Sequence, residues 1–167
     1  MILSDASIRK RVLEDEIRIN PTPEEVQYQP VCLDLRLGDS YTNEKTSELF
    51  ENCHIIEFES DTFHLAHTLE TLNLPDDVCG LITGRSSLAR NGLFFLPILV
   101  DPGFKGQITL QVFNLSGKPI SLPPEKRIAQ IIFMQLDQPV DEPYGEKDDS
   151  KYQNQEGPTE SRMNEMS

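Results

Sequence analysis

A chain of 167 residues and 19.0 kDa is the size of a single domain and long enough to bury its own core. It carries 15 Lys and Arg against 28 Asp and Glu, a net charge of −13, and such a surface repels a phosphate backbone, so nucleic-acid binding is not expected. No window approaches the roughly 18 apolar residues that span a bilayer, and the start Met1-Ile2-Leu3-Ser4-Asp5 shows no basic segment and apolar run of a secretory signal, so the expectation is a cytoplasmic protein without a membrane role.

In chain order, Ser4 is a candidate N-cap, and Ile8, Val12 and Leu13 recur at helical spacing, which predicts a short helix over 5–15. Beyond residue 16, short apolar runs alternate with Pro, Gly, Asn and Asp. They are Ile17–Ile19, Val31–Leu37, His54–Phe58, Thr62–Ala66, Val78–Thr83, Gly92–Val100, Gln107–Phe113, Ile120–Leu122 and Arg127–Leu136. Many closely spaced short strands predict an all-β barrel or jelly roll over residues 1–140 rather than βαβ units. One further short helix is expected near Ser86–Arg90. Residues 141–167 carry 8 acidic and 3 basic side chains and almost no aliphatic ones, a composition that reads as a disordered tail. Yet the tail holds Tyr144, Lys151, Tyr152 and Gln153-Asn154-Gln155, which a purely solubilising segment does not need.

The three cysteines, Cys32, Cys53 and Cys79, are odd in number and lack metal-ligand spacing, so they read as buried reduced thiols. No His and Cys pair has zinc spacing, no Gly-rich nucleotide loop of the Walker or Rossmann kind is present, and His54, His64 and His67 read as surface or strand histidines. Four constellations remain. In Gly84-Arg85-Ser86-Ser87-Leu88-Ala89-Arg90, two arginines bracket two hydroxyls after a glycine. This suits an anion, because guanidinium forks match phosphate geometry; the plainer reading is a capped short helix with solvated arginines. Val100-Asp101-Pro102-Gly103-Phe104-Lys105-Gly106 contains a turn that sets a carboxylate beside an aromatic ring. It is either a surface turn or a site where the ring meets a sugar and the carboxylate a water. In Gln29 to Gly38, Asp34 and Arg36 share one face of a strand, which favours a structural ion pair or a subunit contact over catalysis. The tail is the fourth: Tyr144, Lys151 and Gln155 could close over a charged ligand.

These pieces, in this order, resemble the dCTP deaminase family within the trimeric dUTPase superfamily. The resemblance runs through Leu3-Ser4-Asp5 with Ile8-Arg9, Gln29-Pro30 to Gly38, Leu69-Glu70, Leu74-Pro75-Asp76, Gly84 to Arg90, Asp101 to Gly103, Pro143-Tyr144, Lys151-Tyr152 and Gln155-Glu156-Gly157. It implies a dUTPase-like distorted β-barrel or jelly roll with a short N-terminal helix. It also implies a homotrimer with active sites at subunit interfaces, a deoxynucleoside triphosphate carried with Mg²⁺, and a C-terminal tail, 141–167, that orders over it. The residues it points to are Arg85, Ser86, Ser87 and Arg90 for phosphates, joined by Lys151 and Gln155, with Arg90 and Ser86 also counted in the catalytic set. Asp101 would hold the attacking water and the sugar hydroxyl, Phe104 would stack on the sugar, and Thr109, Leu110, Gln111 and Tyr144 complete the pocket. No metal ligand from the protein is implied, since Mg²⁺ would bind phosphate oxygens and waters.

One position departs from the deaminases. Gln111, in Thr109-Leu110-Gln111-Val112-Phe113-Asn114, stands where the resemblance places their catalytic glutamate, and an amide has no usable basicity. The segment from Gly92 to Asp101 is also shorter than in typical deaminases and is similar to the archaeal dUTPase subfamily. The sequence therefore predicts a dUTP diphosphatase, with a dCTP deaminase, mono- or bifunctional, and a non-catalytic deoxynucleotide-binding protein as alternatives.

Overall fold

The structure is a computed structural model that describes residues 1–163. Helix α1 (Asp5–Leu13) is capped by Ser4, whose side chain accepts the Ser7 N–H, and it buries Ile8. The strands follow: β1 (Arg18–Asn20), β2 (Tyr28–Gln29), β3 (Cys32–Asn43), β4 (Glu48–Phe50), β5 (Ile56–Phe58), β6 (Thr62–Asn73) and β7 (Val78–Gly84). A four-residue helix α2 (Ser86–Ala89) leads into β8 (Leu93–Phe95), β9 (Ile98–Val100), β10 (Lys105–Asn114), β11 (Ile120–Leu122) and β12 (Arg127–Gln135).

The main sheet runs β8-β10-β6-β3-β12-β7-β9, with β1 on β6 and with β2 and β4 on β3; β11 and β5 pair separately. Phe95 on β8, at one end, lies so close to Gly84 on β7, the last strand but one at the other, that a Cβ on Gly84 would sit 2.6 Å from its ring. The sheet is therefore curled nearly shut around one core, in which Leu33, Leu35, Leu37, Ile82, Leu110, Val112, Ile131 and Phe133 are buried. This is the expected all-β architecture, a curled sheet with a short N-terminal helix.

The elements differ from the sequence reading in instructive ways. The run Gly92–Val100 is two strands, because Pro97 cannot donate to a ladder and splits β8 from β9. Strands β3 and β6 run well past the predicted ends at Leu37 and Ala66, through register shifts that absorb Gly38-Asp39-Ser40 and Thr68-Leu69-Glu70. Strands β2 and β4, two and three residues long, are too short to read as strands from their own residues. Of the thiols only Cys32 is buried; Cys53 and Cys79 are half-buried, and all three are free. His54 is exposed, while His64 and His67 are buried on β6.

Asp34 and Arg36 do share a face, but they pair with other residues rather than with each other. Glu70, fully buried, accepts from Arg36 Nε at 2.7 Å, Arg36 N–H at 2.8 Å and Gln27 Nε2 at 2.9 Å. Asp34 faces Arg127 and Arg85. A buried carboxylate is tolerable only with such partners, and this polar layer fastens the segment Glu25–Gln27 across β3 and β6.

Candidate active site

Strand β10 is built by alternation. Ile108, Leu110 and Val112 are buried in the core, whereas Gln107 and Gln111 on the opposite face are only half-buried. Its register on β6 shifts between Gln107, opposite Thr71, and Thr109, opposite His67. The N–H of Ile108, left without a ladder partner, is taken by Thr68 Oγ1 at 2.9 Å. Ahead of β10, Asp101-Pro102-Gly103-Phe104 is a tight turn in which the Phe104 N–H donates to the Asp101 carbonyl at 3.2 Å. Pro102 presets its first corner and Gly103 takes the second at φ +81°, as a type II turn requires.

The turn and the outer face of β10 enclose a cavity of about 440 Å³ lined by Phe63, Leu65, Ile98–Asp101, Phe104, Ile108, Thr109, Gln111 and Tyr144, with Tyr152, Gln155, Thr159 and Ser161 from the tail and Glu44 at the end of β3. Phe104 and Tyr144 are packed ring to ring, centroids 5.9 Å apart. The wall is thus apolar and aromatic, with a few convergent polar groups, the usual character of a small-molecule site.

Of the residues singled out from sequence, Asp101, Phe104, Thr109, Gln111, Tyr144 and Gln155 come together here. Leu110 does not: its side chain is buried in the core and is no part of the lining. The Gln155 side-chain amide is engaged with protein, donating to the Gln107 carbonyl at 2.7 Å, and the Gln155 backbone carbonyl accepts the Gln107 N–H at 3.0 Å. Lys151 is half-buried and outside the lining.

Arg85, Ser86, Ser87 and Arg90 are also elsewhere. They flank and form α2 beyond the end of β7, whereas Val100, just before Asp101, pairs with Gly80 near its start. That is a separation of roughly 15–20 Å along the strand. Ser86, Ser87 and Arg90 are exposed, and Arg85 is half-buried.

The tail contradicts its composition over the described part; residues 164–167 lie outside the described residues. The Asn154 N–H reaches the Lys105 carbonyl at 2.7 Å, the Gly157 N–H the Gln107 side chain at 2.7 Å, and the Thr159 N–H Thr109 Oγ1 at 3.0 Å. Gly106 allows this approach, since a Cβ there would lie 2.9 Å from the Gln155 nitrogen.

Sequence reasoning missed Glu44. Its carboxylate accepts from Thr42 Oγ1, its N–H pairs with the Phe63 carbonyl, and it is the second carboxylate on the cavity wall beside Asp101. Only the adjacency of β3, β6 and β10 reveals this. Among the described residues no group of three or more His, Cys, Asp or Glu could enclose a metal ion.

A 2′-deoxycytidine 5′-triphosphate deaminase from Agrobacterium tumefaciens shares the fold at a TM-score of 0.69 and 22% identity, over 79% of this chain and 47% of that one. The EIAV dUTPase does so at a TM-score of 0.55 and 22% identity, over 75% and 97%. A protein of Dictyoglomus thermophilum named "dCTP deaminase, dUMP-forming" is 42% identical over 98% of this chain and 95% of its own length. The family model described as dCTP deaminase-like matches residues 2–136, which take in the curled sheet, the Gly84–Arg90 turn and the whole of β10. With the fold, the full-length relative and this match in agreement, the chain belongs to the dCTP deaminase-like family.

Proposed function

We propose that this protein hydrolyses dUTP to dUMP and pyrophosphate. The observation that carries the reading is Gln111: the cavity presents an amide on β10 where a deaminase of this family needs a proton-carrying glutamate. Phosphoanhydride hydrolysis makes no such demand. It needs a positioned water, charge neutralisation and a held substrate. Asp101 orients the water, whose oxygen attacks the α-phosphorus as the bond to the bridging oxygen breaks and pyrophosphate leaves; the water's proton passes to the carboxylate. Phe104 packs on the sugar. The Gln111 amide, donor and acceptor at once, meets the uracil edge. Arg85, Ser86, Ser87 and Arg90 take the phosphates from a neighbouring copy in a homotrimer, since within one chain they lie away from Asp101, and Lys151 and the tail close the site. Mg²⁺, when bound, would supply charge neutralisation to the triphosphate.

A second reading, deamination of dCTP with dUMP as the product, is favoured over dUTP hydrolysis alone by the names of the relatives. Incubation with dUTP and with dCTP separately, scored for dUMP, pyrophosphate and ammonia with and without chelator, decides between them. The expected outcome is dUMP and pyrophosphate from dUTP, lost in chelator, and no ammonia from dCTP. Ammonia from dCTP replaces the first reading with the second, and no product from either nucleotide overturns both.

A further inference from the structure

The Asp34 carboxylate is 1% exposed, lies on β3, and is met by two guanidinium groups. Arg127 Nη1 donates to its Oδ2 at 3.0 Å and to the Val26 carbonyl at 2.7 Å. Arg85 Nη2 stands 3.7 Å from the same oxygen, and Arg85 Nη1 reaches the Arg127 carbonyl at 3.5 Å. The Arg85 backbone is fixed too, its N–H on the Ile128 carbonyl at 3.1 Å. Strand β12 runs between β3 and β7, so Asp34 reaches across it to hold the first side chain of the Gly84–Arg90 turn.

Arg127 alone would neutralise the buried carboxylate. The second guanidinium leaves the group with one net positive charge, on the partly exposed Arg85. Arg85 keeps one nitrogen in an ion pair with the carboxylate, beyond hydrogen-bond distance, and another on a carbonyl at the edge of hydrogen-bond range, so the other donors of its 30% exposed side chain have no partner among the described residues. A long arginine loses rotamer freedom when it binds an anion, and a side chain ordered beforehand avoids that loss.

We infer that Asp34 is a positioning residue that pre-orders Arg85 for an anionic ligand at the Gly84–Arg90 turn, the triphosphate in the reading above, on which this inference rests. Its effect therefore falls on KM and on pyrophosphate affinity rather than on kcat.

The test is a double-mutant cycle on the full chain, with dUTP kinetics and pyrophosphate binding by calorimetry for wild type, Asp34→Asn, Arg85→Ala and the double variant. Asp34→Asn is expected to raise KM and the pyrophosphate Kd about tenfold, to leave kcat within a few-fold, and to add nothing in the Arg85→Ala background. An equal rise in that background shows that Asp34 acts through the fold and overturns the inference, as does a loss in kcat with KM unchanged. Guanidinium ion added to Arg85→Ala gives a readout with Asp34 in place. Partial recovery of KM supports a seat held by the carboxylate, and no recovery counts against it. A wild-type protein that releases no dUMP from dUTP overturns the dUTP reading instead, and pyrophosphate binding still reports on Asp34.

Discussion

Thr68 connects the register shift of β6 to the backbone of β10, and replacing it by valine isolates that link. The side chain is fully buried. Its Oγ1 donates to the Glu70 carbonyl at 2.7 Å and accepts the Ile108 N–H at 2.9 Å. Thr68→Val keeps the shape, so neither a cavity nor a clash contributes. What is lost is one hydrogen bond and, for Ile108, any partner for a buried N–H, which costs about 1–3 kcal/mol by itself. Together the two losses amount to about 2–4 kcal/mol, or about 4–15 °C in Tm for a chain of this length. Thr68→Ser keeps the oxygen and should recover most of the loss. Urea and thermal unfolding by circular dichroism, at matched protein concentration because assembly shifts apparent stability, measure both. A Thr68→Val protein melting within about 1 °C of wild type would refute the reasoning, and so would a serine variant as unstable as the valine one.

Asp101→Asn should lower kcat for dUTP by about 10²–10⁴ with the nucleotide still bound; wild-type turnover would reduce Asp101 to a turn residue. Gln111→Glu should impair dUTP use, because a carboxylate cannot donate to O4, and unchanged kcat/KM would remove Gln111 from the base. His64, buried against Tyr41 and Phe58, has its pKa lowered chiefly by burial, with the Glu59 and Thr42 backbone and the Glu59 and Glu44 charges opposing. The unfolded chain therefore binds the extra proton first, and stability is held above the ordinary histidine pKa of about 6.5 and lost as pH falls below it. His64→Phe should flatten that acid limb in urea titrations at pH 7 and pH 5, and an unaltered limb would acquit His64. Deleting 141–167 should raise KM for dUTP while the sheet still melts cooperatively; identical kinetics would make the segment a solubility tail.

How much of this could be read in advance depends on whether the cause was local. The alternation Ile108-Leu110-Val112 against Gln107-Gln111 and the turn chemistry of Pro102-Gly103 are local, so β10 and its approach were legible. Gly38-Asp39-Ser40 reads as a break, yet β3 continues through it, because pairing with β6 and β4 on its far side outweighs weak strand propensity. The tail's charge predicted disorder, but its backbone and polar side chains find partners along Lys105–Thr109, where a sheet neighbour rather than an apolar core holds them. Glu44 and the Asp34–Arg85 pair were invisible for one reason: each depends on which strands lie side by side, and a single sequence does not state that order.

The distance between the Gly84–Arg90 turn and the Asp101 cavity has a genetic corollary. In the trimer proposed above, each chain lends its arginines to one site and its aspartate to another. A lesion that removes both Arg85 and Arg90 and a lesion at Asp101 therefore silence every site when either is present alone, yet subunits of the two kinds, unfolded together and reassembled, rebuild about one intact site in four by random mixing. Two alleles that are each null would complement in one cell, and a single defective allele would reach into oligomers made mostly of sound chains.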